Sequence, residues 1–326
     1  MRHLKILFIG RSKNLPSTRI RITNLLHILK KRGIKYDFII LPKSIKDRIR
    51  LFSKCKKYDI IFLQKKTLEF PEFFLLRLNS KKLIFDFDDS IFTTLDRPFN
   101  FNRKCFRKFK KVIKYSDLVI AGNDYLAKIA KKFNPNVVIL PSAVPIKPIY
   151  QNHFHNKTTI IGWIGSKYNI HYLNIVKDVL VSIHNQAKFE FRVISDRPYK
   201  IDKIPCKFIE WRLETQEEEI SKFDIGINPL PDDPWTRGKC AYKVLQYMSM
   251  AKPFVASAVG MNVLLSCNNT AGFVAKNSKE FKKYLLLLLK DKDLRIKMGL
   301  KGYEIAQDYS IEKIGNKLAD ILSANS

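Results

Sequence analysis

Residues 223–262 read FDIGINPLPDDPWTRGKCAYKVLQYMSMAKPFVASAVGMN. A short apolar run, Phe223 to Asn228, stops at the turn-forming segment Pro229-Leu230-Pro231-Asp232-Asp233-Pro234-Trp235-Thr236. The spacing then predicts a helix from about Arg237 to Met250, with Ala241, Val244, Leu245 and Met248 on one apolar face. A second apolar run, Pro253 to Val259, follows and ends at Gly260-Met261-Asn262. Strand, helix and strand in this order form a βαβ unit, because two parallel strands need a long crossover and a helix is the usual one.

The same alternation extends in both directions. Runs rich in Ile, Val and Phe lie near residues 4–9, 36–41, 59–63, 82–86, 117–121 and 136–140, alternating with longer helical patterns. A second series restarts at Thr159-Ile160-Ile161-Gly162-Trp163-Ile164-Gly165 and continues through 189–194, 206–210, 223–228 and 253–259. Between the two lies the proline-rich stretch Leu140 to Pro148 and a polar segment containing His153 and His155, which reads as a linker with surface histidines. The expected architecture is α/β, two Rossmann-like doubly wound parallel-sheet domains over 1–148 and 149–326, facing across a cleft. Ligands of such sheets bind beyond the carboxyl ends of the strands, so the loops there are the candidate site.

Composition bounds the rest. With 326 residues, 46% of them apolar, and only 12 Gly and 14 Pro, the chain can build proper cores despite a formal charge of +30. That charge is uneven: residues 1–150 hold 34 Lys and Arg against 11 Asp and Glu, a net +23, which leaves +7 for residues 151–326. The first ten residues read as a strand rather than a signal peptide, and no apolar run reaches the ~18 residues needed to cross a bilayer. Five widely spaced cysteines without a Cys-x-x-Cys indicate neither disulfides nor zinc, so a cytoplasmic protein is expected.

Four loops carry chemistry. Arg19 and Arg21 lie near a predicted helix start that Ser17 or Thr18 can cap, and suit a phosphate or carboxylate or a solvated surface. The loop is not a Gly-x-Gly-x-x-Gly fingerprint, which argues against a dinucleotide enzyme. Asp86, Asp88 and Asp89 end the fourth strand in a region otherwise short of acid; they could bind a metal, perform acid/base work, accept sugar hydroxyls, or pair with local Arg and Lys. Alternation would put Asp86 and Asp88 on one side and Asp89 on the other. Gly165 and Ser166 precede a helix, a turn that can face a phosphate. Arg237, Lys239 and Lys243 crowd the start of the predicted 237–250 helix, the unfavourable dipole end for cations unless an anion is bound there.

Taken together, Leu25-Leu26-x-x-Leu29 with Arg32-Gly33, Gly122 to Leu126 and Val138 to Val144 resemble the N-terminal half of GT-B glycosyltransferases. Lys243 to Asn262, followed by Ala271-Gly272-Phe273-Val274, is similar to the donor-binding signature of glycosyltransferase family 4. The resemblance implies a nucleotide-diphosphate sugar as co-substrate, no other cofactor and no metal, donor binding in the C-terminal domain, acceptor binding in the N-terminal domain, retention of configuration, and a last helix that can cross back to the N-terminal domain. Gln246 matches the position where the family usually has a ribose-binding Glu; the other Glu of that pair falls on Gly238, and the Arg of the usual Gly-Arg turn is Ser166. On this footing Asp88, Arg237 and Lys243 are the expected catalytic residues. Gly165, Ser166, Lys239, Gln246, Gly260, Met261 and Asn262 are expected at the donor, with Trp211, Glu210 and Glu214 near its nucleoside, and Arg19, Arg21 and Asp89 at the acceptor.

The implied activity is transfer of a sugar to a glycan or lipid-linked acceptor in cell-surface polysaccharide or glycolipid synthesis. A silent nucleotide-sugar-binding subunit and a GT-B epimerase or hydrolase are the alternatives. Nucleic acid is disfavoured, since no helix-turn-helix, zinc-finger or RNP signature occurs. The basic half then points to an anionic membrane face, the inner one for a cytoplasmic protein, with Arg103 to Lys114 as its surface: seven Lys or Arg in twelve residues, interleaved with Phe106, Phe109 and Val112.

Overall fold

The structure, a computed structural model, describes residues 4–12, 15–93, 102–149 and 157–325; His153 and His155 lie outside them. The chain divides into two compact units, the first Met1–Ala143, Asp233–Cys240 and Ser310–Ser326, the second Val144–Asp232 and Ala241–Tyr309. The division thus falls at 143/144 rather than 148/149, and residues 233–240 group with the N-terminal unit although they interrupt the second series.

In chain order the first series is β1 (Lys5–Gly10), α1 (Pro16–Arg21), α2 (Leu26–Lys31), β2 (Lys35–Ile40), α3 (Ile45–Ser53), β3 (Ile60–Gln64), α4 (Phe70–Leu78), β4 (Lys82–Phe87), α5 (Arg103–Tyr115), β5 (Leu118–Ala121), α6 (Asp124–Ala130) and β6 (Val137–Ile139). These strands form a parallel sheet in the order β2-β1-β3-β4-β5-β6. Both faces are covered, which is why its strands read as continuous apolar runs. Ile6 and Phe8 pack with Ile22, Leu25 and Leu29 on one face, while Leu7 and Ile9 pack with Phe52, Leu76 and Phe109 on the other.

The second series is β7 (Ile160–Ile164), α7 (Lys177–His184), β8 (Glu190–Ser195), β9 (Cys206–Glu210), α8 (Gln216–Ser221), β10 (Ile225–Asn228), α9 (Pro234–Arg237), α10 (Tyr242–Ser249), β11 (Phe254–Ser257), α11 (Met261–Leu265), β12 (Phe273–Ala275), α12 (Ser278–Lys290), α13 (Lys292–Ala306) and α14 (Ile311–Ala324). Its sheet is also parallel, in the order β12-β11-β10-β7-β8-β9. β12 was not among the expected strands. α14 belongs to the first unit, where Ile314, Leu318 and Leu322 join Leu25 and Leu29 in one core.

Two helix starts differ from expectation. α1 begins at Pro16 with Leu15 before it and no side-chain cap; Ser17 and Thr18 lie inside the helix, and Thr18 Oγ1 donates to Gln64 Oε1 at 2.9 Å. The helix expected over 237–250 is two. Asp233 and Thr236 form a capping box that starts α9 at Pro234. The Asn123 side chain then donates to the carbonyls of Gly238 (3.0 Å) and Lys239 (3.2 Å), acceptors that a continuing helix would have used. Ala241 adopts a left-handed φ of 48° before α10 begins at Tyr242.

Candidate active site

In the N-terminal unit, the carboxyl ends of β3 and β4 bring together five charged side chains. Arg21 and Asp86 form a fully buried pair: Arg21 Nε lies 3.1 Å from both Asp86 oxygens, and Arg21 Nη2 donates to Asp86 Oδ1. Arg21 Nη1 also donates to the carbonyl of Leu140. Burial works to lower the Arg21 pKa, but the Asp86 charge and hydrogen bonds outweigh it and hold the guanidinium above its usual range. The pair is a brace of the core, so Arg21 does not present its charge to an acceptor as expected; its side chain is 1% exposed. Arg19, on the same helix, is half-buried.

Asp88 and Asp89 lie past the end of β4, so strand alternation does not separate them: both pair with Lys65, the residue after β3. Lys65 Nζ is 3.0 Å from Asp88 Oδ1, a distance that pairs the charges without aligning a hydrogen bond, and it donates to Asp89 Oδ2. Burial works against the ammonium, yet the two carboxylates outweigh it and hold Lys65 above the usual lysine range. Nothing about Lys65 stood out in the sequence beyond a basic residue at a strand end. Close by, the Cys240 thiol donates to the Asp88 carbonyl at 3.3 Å, and Ser90 Oγ donates to the Pro234 carbonyl at 2.6 Å, which ties the loop after β4 to residues 234–240. Among the described residues no three His, Cys, Asp or Glu side chains gather as a metal site.

In the second unit, the carboxyl end of β7 brings Gly165 and Lys243 into contact. Tyr247 anchors α10 against the sheet: its hydroxyl donates to the Ile227 carbonyl (3.0 Å) and accepts from the Ile164 amide (3.3 Å). One turn earlier on the same face, Lys243 Nζ sits 5.5 Å over the ring of the buried Trp163. Gly165 leaves room for this, since a Cβ there would fall 2.8 Å from Lys243 Cε. Ser166 continues the turn, its carbonyl accepting from the Asn169 amide at 2.9 Å. A phosphate placed at the β7 turn would meet a lysine ammonium already oriented for a charge-assisted bond.

Gln246 is tied to the loop after β9. Trp211 Nε1 donates to Gln216 Oε1 at 3.2 Å, and Gln246 Nε2 donates to the same oxygen at 3.4 Å. An indole nitrogen can only donate, so this chain fixes the orientation of both amides. Trp211 thus shares a hydrogen-bond chain with Gln246, whereas Glu210 pairs with Arg212 and Glu214 is exposed. At the end of β11, Gly260 holds a positive φ of 54° and Met261 opens α11. Asn262 turns inward: its side chain accepts from Asn228 (3.1 Å) and donates to the Ser257 carbonyl (3.0 Å), and its amide donates to the Val259 carbonyl (3.2 Å). Asn262, expected at the donor, therefore braces the loop with its side chain and its amide.

Arg237 and Lys239 need the same correction. Neither starts a helix: Arg237 is the last residue of α9, the favourable dipole end for a cation, and Lys239 lies beyond it with Nζ 5.3 Å over the Trp235 ring. Both group with the N-terminal unit, Lys243 with the other. Their position no longer calls for a bound anion.

Residues 158–291 match the family described as Glycosyl transferases group 1. No curated protein matches the chain. Among solved structures, Anabaena HepE in complex with UDP and glucose is similar at a TM-score of 0.74 and 14% identity, covering 99% of this chain and 100% of that one. Sucrose-phosphate synthase from Thermosynechococcus elongatus is similar at 0.73 and 12%, with 99% and 100% covered. WaaG, a glycosyltransferase involved in lipopolysaccharide biosynthesis, is similar at 0.68 and 13%, with 98% and 99% covered. At such identities the likeness is one of fold. Residues 158–291 are thus a glycosyl transferases group 1 domain, and the chain that carries it has the two-sheet α/β fold of the GT-B glycosyltransferases.

Proposed function

We propose that the protein transfers a sugar, with retention, from a nucleoside diphosphate sugar to a glycan or lipid-linked acceptor in the synthesis of a cell-surface polysaccharide or glycolipid. The observation that carries this is the Lys243 ammonium held over Trp163 at the Gly165 turn, inside the segment that matches the glycosyltransferase family. When the C1–O bond to the diphosphate breaks, negative charge grows on the phosphate, and a cation already in place stabilises it without reorganisation. Gly165, Ser166 and Gly260 shape the turns around the diphosphate, and Gln246 meets the ribose through its carbonyl. Asp88, with Asp89, receives a hydroxyl of the acceptor. The nucleotide sugar is the only co-substrate in this reading, and no metal takes part. HepE and WaaG supply the fold precedent: the first was crystallised with UDP and with UDP-glucose, the second is a glycosyltransferase involved in lipopolysaccharide biosynthesis.

The same reading places the protein on an anionic membrane face, at the cytoplasmic side. α5 carries seven Lys or Arg and no acid, and beside it α4 turns Phe70, Phe74 and Leu78 outward at every fourth residue, with exposures of 65%, 53% and 62%. Lys111 Nζ rests 5.2 Å over the Phe70 ring. Apolar side chains beside a row of cations match the two layers of a lipid interface, acyl chain and phosphate. No described helix is long and apolar enough to cross a membrane.

Thermal stabilisation by UDP-, GDP- and ADP-sugars, followed by release of the nucleoside diphosphate, tests the function. Lys243→Ala should remove most of the binding or turnover. Silence of the parent chain with every donor would support a subunit without activity instead.

A further inference from the structure

We propose that Lys65 is a positioning residue for the reaction, holding the Asp88 carboxylate turned so that it takes the acceptor hydroxyl. The inference rests on the assignment of Asp88 to the acceptor made above.

The ion pairs around β4 are of two kinds. Arg21 and Asp86 are sealed in the core, each side chain 1% exposed, and Arg21 satisfies the Leu140 carbonyl as well. Lys65, Asp88 and Asp89 are instead partly open, at 16%, 13% and 25%. Unlike Arg21 and Asp86, they reach the surface, and one cation is shared between two carboxylates. Lys65 itself takes a left-handed φ of 52°, a conformation that non-glycine residues rarely adopt and that tends to mark functional loops. Its amide donates to the Asp86 carbonyl at 2.7 Å, which fixes the turn and aims the side chain at the two carboxylates.

At Asp88, Oδ1 is buried and faces Lys65 Nζ at 3.0 Å, yet it receives no hydrogen bond from any described residue. The backbone is held independently, through the Cys240 thiol on the Asp88 carbonyl. A fixed backbone and an oxygen pinned by charge but still without a hydrogen-bond donor describe a carboxylate presented to a donor group, here a sugar or lipid hydroxyl. The charged and titratable groups around it are Lys65, Asp86 with Arg21, Asp89 and Cys240. Lys65 is the cation in contact, so its loss would leave two adjacent carboxylates without their shared counter-charge.

The test uses the full chain and the sugar nucleotide it turns over fastest among UDP-glucose, GDP-mannose and ADP-glucose. Lys65→Met should lower kcat by roughly 10- to 100-fold, with nucleoside diphosphate affinity unchanged. Lys65→Arg, which keeps the charge, should recover most of kcat, and it separates positioning from a folding defect. Asp88→Asn should lose turnover. Parental kcat in Lys65→Met, with Asp88→Asn inactive, would overturn the role of Lys65 alone. Full turnover in Asp88→Asn, or a parent chain silent with all three donors, would overturn the assignment beneath it.

Discussion

The substitution Gly165→Ala would place a methyl carbon 2.6 Å from Trp163 Cζ2 and Cη2 and 2.8 Å from Lys243 Cε, all inside the closest approach a real Cβ makes. Trp163 is 1% exposed and packed in the core of its unit, so its ring cannot withdraw. Lys243 is the flexible partner and must leave the indole face, while the clash with Trp163 has to be taken up by the Gly165 turn itself. The chain then forfeits a cation–π contact of about 0.5–1 kcal/mol and, in the nucleotide complex, a charge-assisted bond to phosphate of about 1.5–3 kcal/mol. The second figure alone corresponds to UDP binding weakened roughly 10- to 100-fold. Calorimetric titration of UDP into the parent, Gly165→Ala, Lys243→Ala and the double variant would measure it. Both single changes remove the Lys243 interaction, so Gly165→Ala should cost less in the Lys243→Ala background than in the parent, the remainder coming from the Trp163 clash. Parental UDP affinity in a folded Gly165→Ala protein, or equal losses in both backgrounds, would refute the geometry argued for this site.

Three further outcomes can be checked. Lys252 is fully buried, and burial depresses its pKa from 10.5 to about 8 against the opposing pull of Asp224. The unfolded chain therefore binds more protons between those values: stability should rise from pH 8 to 10.5, the full cost of about 3 kcal/mol being present below pH 8. Lys252→Met should flatten that rise in denaturant titrations, and a slope like the parent's would contradict it. Arg21→Met strands Asp86 in the core and should destabilise by about 3–5 kcal/mol, much of it recovered in Arg21→Met/Asp86→Leu, as urea unfolding would show. For the membrane face, Phe74→Ser with Lys111→Ser should reduce sedimentation with phosphatidylglycerol vesicles and leave UDP binding untouched; binding that is unchanged, or insensitive to salt in the parent, would count against that surface.

Most of the fold is legible in the sequence because the strands are buried on both faces. Ile60 to Leu63 and Ile160 to Ile164 are apolar without a break, and nothing else of that length competes with a parallel strand. β12 escapes for the opposite reason: three residues, Phe273 to Ala275, carry too little pattern. The break between α9 and α10 is invisible locally, because the group that captures the Gly238 and Lys239 carbonyls is Asn123, far away in the chain. At the site, the Asp run and the Lys243 signature stand out by residue type. Lys65 does not, since one lysine among the many in a basic half gains meaning only when β3 and β4 lie side by side. Arg21 shows the converse, a cation in a promising loop that folds inward to neutralise Asp86.

Residues 233–240 and 310–326 belong to the unit that begins with β1. As the chain is made from its amino end, that unit cannot close its core when β6 leaves the ribosome: the cover supplied by Ile314, Leu318 and Leu322 is still unsynthesised. Vectorial synthesis thus delivers a nascent sheet with one apolar face waiting for the last segment, and domain-by-domain folding during translation is closed to it. Halves expressed separately should fail together, and tags or fusions placed after α14 stand to slow the final docking step more than those placed before β1.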